Sequence, residues 1–174
     1  MRVLLYTHGF FRQGKKMDAE LLALATQLGQ HLQANGKMIA TAESCTGGGI
    51  AQIITEIAGS SKWFDRGFVT YSNLSKVQML AVNPATLDTF GAVSEQTALE
   101  MVRGALLYSA ADCAIAVTGI AGPDGGSLEK PVGTVFIARC YKHETANVIR
   151  KQFVGNRHQI RTQTIKTALE WLLL

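Results

Sequence analysis

Cysteine, proline and long apolar runs are all scarce in this chain, and each shortage closes off a class of protein. The three cysteines, Cys45, Cys113 and Cys140, are odd in number, widely spaced and free of any CxxC pairing. Neither a disulfide framework nor a zinc knuckle is specified, and a reducing, cytoplasmic compartment is expected. No stretch approaches about 18 uninterrupted apolar residues, so no membrane-spanning helix is expected. Three prolines against 17 glycines suggest many tight turns rather than disorder. The phosphate-loop pattern GxxxxGK[ST], the GxSxG elbow, the GxGxxG fingerprint and the HExxH helix are all missing. The four histidines, His8, His31, His143 and His158, do not cluster, which disfavours a metal site or a Ser/His triad. No metal and no cofactor are expected.

What is present is a chain of 174 residues with 47% hydrophobic composition, ample for a single buried core. Its net charge of +4 raises the question of a nucleic-acid partner. Residues 1–16 hold Arg2, Arg12, Lys15 and Lys16 and no acid, so residues 17–174 carry 13 bases and 13 acids. The excess belongs to a basic leader, and no nucleic-acid partner is expected. The expected organisation is that leader, 1–16, followed by one folded domain from Met17 to the end, 17–174. Residues 139–174 retain seven bases against Glu144 and Glu170, a cluster that suits a phosphate or a solvated surface.

Along the chain, Leu21, Leu22, Ala25, Leu28 and Leu32 recur at helical steps and Gly36 stops them, predicting a helix over 18–35. Residues 38–42 read as a strand, 43–49 as a polar, glycine-rich loop and 50–58 as a helix. A strand at 68–71 and a helical piece at 75–81 follow, and Ser94 is placed to cap a helix running to residue 110. The apolar strand 113–117 empties into the turn-rich segment 119–126. Strands at 132–138 and 148–153 and a helix at 157–172 complete the order. Alternating strands and helices predict an α/β fold, a single layered domain with a mixed β-sheet flanked by helices. In such sheets ligands sit beyond the carboxyl ends of strands, which makes loops 43–49 and 118–126 candidate walls of one pocket.

Hydroxyl groups, one tyrosine and one lysine concentrate between these landmarks: Ser44, Thr46, Ser60, Ser61, Tyr71, Ser72 and Lys76. Singly, each hydroxyl suits a cap or a turn. Together they offer a nucleophile and a base, since a serine needs a base and a buried lysine can be neutral near pH 7. Lys76 would need its pKa drawn from about 10.4 to roughly 7–8, about 4 kcal/mol that the fold must supply. Tyr71 could bond to the lysine or pass a proton. Short-chain dehydrogenases place a Tyr/Lys pair four residues apart; here the separation is five and the glycine fingerprint is missing. The residues alone leave Ser44 and Ser61 both open as nucleophile.

TAESCTGG at 41–48, AGSS at 58–61, FVTYSN at 68–73, GAVSE at 91–95, TGIAGPDGG at 118–126 and KPVGT at 130–134 closely resemble the CinA carboxy-terminal family. The resemblance runs in order from about residue 18 to 172. It implies a nicotinamide-nucleotide amidohydrolase that converts nicotinamide mononucleotide to the nicotinic acid form and ammonia by a metal-free Ser/Lys mechanism. It further implies Ser61 as nucleophile, Lys76 as base and Tyr71 in support, with Ser44, Thr46, Gly47, Thr118, Gly119 and Arg157 lining the substrate site. Arg157 is the expected phosphate partner. Asn156 stands where the family commonly has aspartate, and the leader is not a family element. Two rival readings are a binding protein of the same fold associated with competence and DNA damage, and an amidase for another carboxamide. Exposed helix faces suggest a homo-oligomer.

Overall fold

A computed structural model describes the backbone of residues 7–174 and the side chains from Ala19 onward. Five strands form one sheet: β1 (Ile39–Glu43), β2 (Phe64–Val69), β3 (Cys113–Gly119), β4 (Thr134–Tyr141) and β5 (Asn147–Gln152). Their spatial order is β2-β1-β3-β4-β5. The first three are mutually parallel, while β4 runs antiparallel to β3 and β5 antiparallel to β4. The sheet is therefore mixed, as expected.

Side-chain alternation along the strands builds two cores of different character. Ile39 of β1, Cys113, Ile115 and Val117 of β3, and Val135 and Ile137 of β4 face one way, against α1 (Thr7–Ala34), α2 (Gly49–Thr55) and α6 (Arg157–Leu172). Ala40, Ala42, Ala114, Ala116 and Ala138 face the other way, toward α3 (Asn73–Leu80), α4 (Pro84–Phe90) and α5 (Glu95–Leu107). Alanines on this face bring α5 close, so that Ala98, Met101, Val102 and Ala105 are fully buried against the strands. Helices on both faces leave the carboxyl ends of β1, β2 and β3 at one edge of the domain.

Several boundaries differ from the expected ones for identifiable reasons. The helix expected over 18–35 extends back to Thr7 in α1; the part of the leader before Thr7 lies outside the described residues. Strand β2 begins four residues early, because Asp65 and Arg66 sit on an edge strand and are tied sideways instead of packed inward. Ala110 N donates to Asp65 Oδ2 at 3.0 Å and Arg66 Nη1 to the Tyr108 carbonyl at 2.9 Å. The same ties draw the chain out of helix, ending α5 at Leu107 rather than at residue 110. Helix α4 was not expected; Asn83 caps it by accepting from Ala85 N at 3.0 Å, and Pro84 occupies its first turn. Ser94 caps α5 as expected, accepting from Thr97 N at 3.2 Å.

The α3–α5 crossing depends on Gly104. A Cβ there would stand 2.0 Å from the carbonyl oxygen of Leu80, a backbone atom that cannot turn aside. Gly104→Ala is expected to lower unfolding free energy by about 2 kcal/mol, the overpacking penalty exceeding the gain in helix propensity. Chemical denaturation of the two proteins checks this; equal or greater stability in the variant would contradict the close crossing.

Candidate active site

Ser44 leaves the carboxyl end of β1, the central strand of the parallel trio, and opens the turn that leads into α2. Its backbone N donates to the Val117 carbonyl of β3 at 3.0 Å, which pins the turn to the neighbouring strand. Lys76 arrives from the next junction. After β2 the chain passes Thr70 and Tyr71 and enters α3, whose start is fixed by a reciprocal cap between Ser72 and Ser75. This cap sets the phase of the helix, so that Lys76, one turn in, points back across the strand ends.

The lysine is 1% exposed. Its Nζ donates to the Thr70 carbonyl at 2.8 Å and lies 3.0 Å from Ser44 Oγ. At that separation an ammonium donates to the hydroxyl oxygen, whereas a neutral amine accepts the hydroxyl proton. No carboxylate forms an ion pair with Lys76 among the described residues. Burial therefore acts against its charge and lowers its pKa from the ordinary value near 10.5. Cys45 opposes this shift only when ionised, and burial pushes its thiol up to about 12, so it is neutral at physiological pH. A serine hydroxyl facing an amine that burial favours as neutral is an arrangement in which the amine can accept the hydroxyl proton.

These two side chains line a cleft open to solvent. Tyr71 bounds it beside β2, Ala92 and Val93 on the α4–α5 connection, Thr118 and Gly119 at the carboxyl end of β3 with Ala121 just beyond, and Arg157 at the start of α6. The two glycine-containing junctions do meet at one pocket. Thr118 has its hydroxyl occupied, donating to the Ala92 carbonyl at 2.7 Å and thereby fixing the far wall. Arg157 Nη2 donates to the Tyr71 hydroxyl at 2.7 Å, and its Nη1 to the Gly122 carbonyl at 3.0 Å. Tyr71 is thus joined to the arginine rather than to Lys76. Asn156 performs the capping expected of an aspartate, accepting from Gln159 N at 3.0 Å. Of the other terminal bases, Arg139 stacks on Trp171, Arg150 lies over Phe136, and Lys166 pairs with Glu20 and Glu170. Arg157 is the base of that region which lines the cleft.

Three expected site residues are not brought together with the pair. Ser61 lies in a single 3-10 turn, Ser60–Lys62, before the amino end of β2, and its side chain is exposed. Lys76 follows the carboxyl end of that strand. Six strand residues at about 3.3 Å each separate the two ends by roughly 20 Å, so Ser61 is not brought to Lys76, whose hydroxyl partner is Ser44. Thr46 is fully buried and donates to Glu43 Oε2 at 2.6 Å, turning away from the cleft. Gly47 adopts φ +59 beside Arg161 and lines no part of it. Ala92 and Val93, which also line the cleft, lie outside the two loops expected to wall it, and Cys45 and Ala121 lie within those loops; the buried acid Glu43, at the end of an apolar strand, carried a visible signal in the sequence.

Layered α/β architecture, a buried serine–lysine pair beyond the carboxyl ends of parallel strands and an arginine at the cleft define an α/β domain with a polar cleft at one edge of its sheet. Comparison with known proteins gives the family. The CinA C-terminal domain model matches residues 21–174, and the chain belongs to that family. The chain is 52% identical over 155 residues to the nicotinamide-nucleotide amidohydrolase PncC of Escherichia coli strain K12, covering 89% of this chain and 94% of that protein. A protein of the same name from Pseudomonas putida is 48% identical over 158 residues, covering 88% and 95% respectively. Among solved structures, the competence/damage inducible protein CihA from Agrobacterium tumefaciens superposes with a TM-score of 0.87 at 51% identity, covering 88% of this chain and 94% of that one.

The lowered pKa of Lys76 makes stability depend on pH. Between the folded-state value and the ordinary value near 10.5, the unfolded chain holds a proton that the folded chain has released. Unfolding free energy should therefore gain a positive slope with pH across that window, and the contribution should be smallest below the folded value. Denaturant melts at a series of pH values, compared between wild type and Lys76→Met, should show this increment only in the wild type. Identical pH slopes would contradict a buried, readily deprotonated amine.

Proposed function

We propose that this chain is a nicotinamide-nucleotide amidohydrolase, hydrolysing the carboxamide of nicotinamide mononucleotide to nicotinate mononucleotide and ammonia, with Ser44 as nucleophile and Lys76 as base. The observation that carries the chemistry is the 3.0 Å approach of Lys76 Nζ to Ser44 Oγ with both side chains buried at the cleft. The choice of substrate is supported by relatives of about 50% identity that are named for this reaction.

Neutral Lys76 accepts the Ser44 proton as Oγ attacks the carboxamide carbon. The Thr70 carbonyl holds the resulting ammonium in place. Collapse of the tetrahedral intermediate breaks the carbon–nitrogen bond, and Lys76 gives its proton to the departing nitrogen, releasing ammonia and leaving an ester on Ser44. Water then attacks the ester, Lys76 takes one of its protons and returns it to Ser44 Oγ, and the carboxylate product leaves. Lys76 relays the proton in each half-reaction, the second proton of the water passes to solvent as the product ionises to its carboxylate, and no step calls for a metal or a cofactor. Arg157 retains N–H groups beyond those given to Tyr71 and Gly122, and these are suited to the nucleotide phosphate. Tyr71 orients that arginine at the mouth of the cleft.

A cytoplasmic setting fits three free, buried cysteines, and no helix among the described residues is long and apolar enough to cross a membrane. Exposed Val69 and Leu74, flanking Tyr71, favour a homo-oligomer.

Ammonia release from nicotinamide mononucleotide by purified protein tests the reading. Ser44→Ala and Lys76→Met should each lose at least about 10³-fold in kcat while remaining folded. Ser61→Ala should stay within about twofold of wild type, as an exposed surface change does. Arg157→Ala should raise KM for the nucleotide about 10–100-fold, the range of a lost charge-assisted contact, with little effect on the phosphate-free riboside. An inactive wild type, or an active Ser44→Ala, would overturn the assignment.

A further inference from the structure

Glu43 immediately precedes Ser44, is completely buried, and takes no part in the chemistry described above. Its carboxylate collects four donors. Oε2 accepts from Thr46 Oγ1 at 2.6 Å and from Ile50 N at 2.9 Å; Oε1 accepts from Ala51 N at 2.8 Å and from Thr41 Oγ1 at 3.4 Å. One side chain thereby fastens the end of β1, the middle of the nucleophile turn and the first turn of α2. Its main chain reaches the other half of the pair as well. The Glu43 carbonyl accepts from Thr70 N at 2.8 Å, and the carbonyl of that same Thr70 receives Lys76 Nζ.

We infer that Glu43 is a positioning residue for the reaction proposed above, fixing the 44–48 turn so that Ser44 Oγ meets both Lys76 and the substrate carbonyl. Two further details of the turn belong to this role. Among the described residues, the backbone N–H groups of Cys45 and Thr46 donate to no protein oxygen, whereas those of Ser44, Gly47 and Gly49 do. A rigid turn with uncommitted amides next to its nucleophile is what stabilising an oxyanion requires. Arg161 Nη2 donates to the Thr46 carbonyl at 2.6 Å, holding the turn from its outer side.

Both oxygens of Glu43 accept from a backbone N–H, and a backbone donor cannot reverse its polarity. A glutamine at this position would set its own NH2 against either Ile50 N or Ala51 N, whichever way the amide is turned. Glu43→Gln is nearly isosteric and still forces the turn to shift, and a displacement on the order of 1 Å costs about 10²-fold in rate. The inference rests on the amidase reading, and the controls keep the two apart.

Steady-state kinetics and a pH profile of Glu43→Gln, measured below its melting transition beside wild type and Ser44→Ala, provide the test. The expected result is a fall in kcat of about 10²-fold with KM for nicotinamide mononucleotide changed by less than about threefold. The alkaline-rising limb of the profile should keep its wild-type midpoint, since Glu43 acts through geometry rather than on the Lys76 charge. A folded Glu43→Gln with wild-type kcat, showing only a lower melting temperature, would reduce Glu43 to a structural role and overturn the inference. So would a shifted limb with an unchanged plateau. If Glu43→Gln does not fold, Thr46→Val decides: it removes one of the four donors and should lower kcat about 3–10-fold at unchanged KM, and an unaltered kcat would overturn the inference. Failure of the amidase reading is distinct, seen as an inactive wild type or an active Ser44→Ala, and takes this inference with it.

Discussion

A lysine amine sits 1% exposed at the ends of three parallel strands, with a carbonyl and a serine hydroxyl as its hydrogen-bonding partners. Transferring an ammonium from water to such a place is costly unless a counter-charge comes with it, and here none forms an ion pair with it among the described residues. The fold lowers that cost by favouring the neutral form, which is also the form able to take a proton from Ser44. Burial that opposes charge is thus the physical basis of the base role proposed for Lys76. The rest of the domain maintains that burial: α5 closes one face of the sheet over alanines, α2 and α6 close the other over isoleucine and valine, and the reciprocal Ser72–Ser75 cap sets the phase of α3.

The site also depends on the sheet being mixed. Because β1, β2 and β3 run in parallel, the 44–48 turn, the lysine helix and the Thr118–Gly119 wall all emerge at the same edge. The antiparallel β4 and β5 then return the chain so that α6 begins beside that edge, bringing Arg157 and Arg161 to it. One arginine faces the cleft and the other holds the 44–48 turn from behind. Glu43 joins these parts from within, its carboxylate holding the turn and its carbonyl holding the strand from which Lys76 is reached.

Much of this arrangement was legible in the sequence. The helical spacing of Leu21, Leu28 and Leu32, the apolar strand at 113–117 and the Ser94 cap all express local physics, and each appears in the fold. Local pattern failed where tertiary ties set the boundary, as in the polar edge strand that begins at Phe64 and the short helix capped by Asn83. The cleft was legible too, since glycine-rich turns after apolar strands mark strand ends. Choosing between Ser44 and Ser61 was a different problem. Both serines lie in polar turns a few residues from a strand, and composition does not record which end of that strand each turn occupies. Strand direction separates their positions: Ser44 follows β1, whereas Ser61 precedes β2, and Lys76 lies beyond the end that Ser61 does not reach. Tyr71 was legible as a site residue but not in its partner, because Arg157 reaches it only after the chain has crossed three further strands.

The most direct test is to identify the atom that carries the acyl group. Wild-type protein mixed with excess nicotinamide mononucleotide, quenched in acid during turnover and digested for peptide mass mapping, should yield the nucleotide acyl ester on Ser44. An adduct on Ser61, or on any residue outside the 43–49 turn, would contradict the assignment of the Ser44–Lys76 pair as the reacting centre.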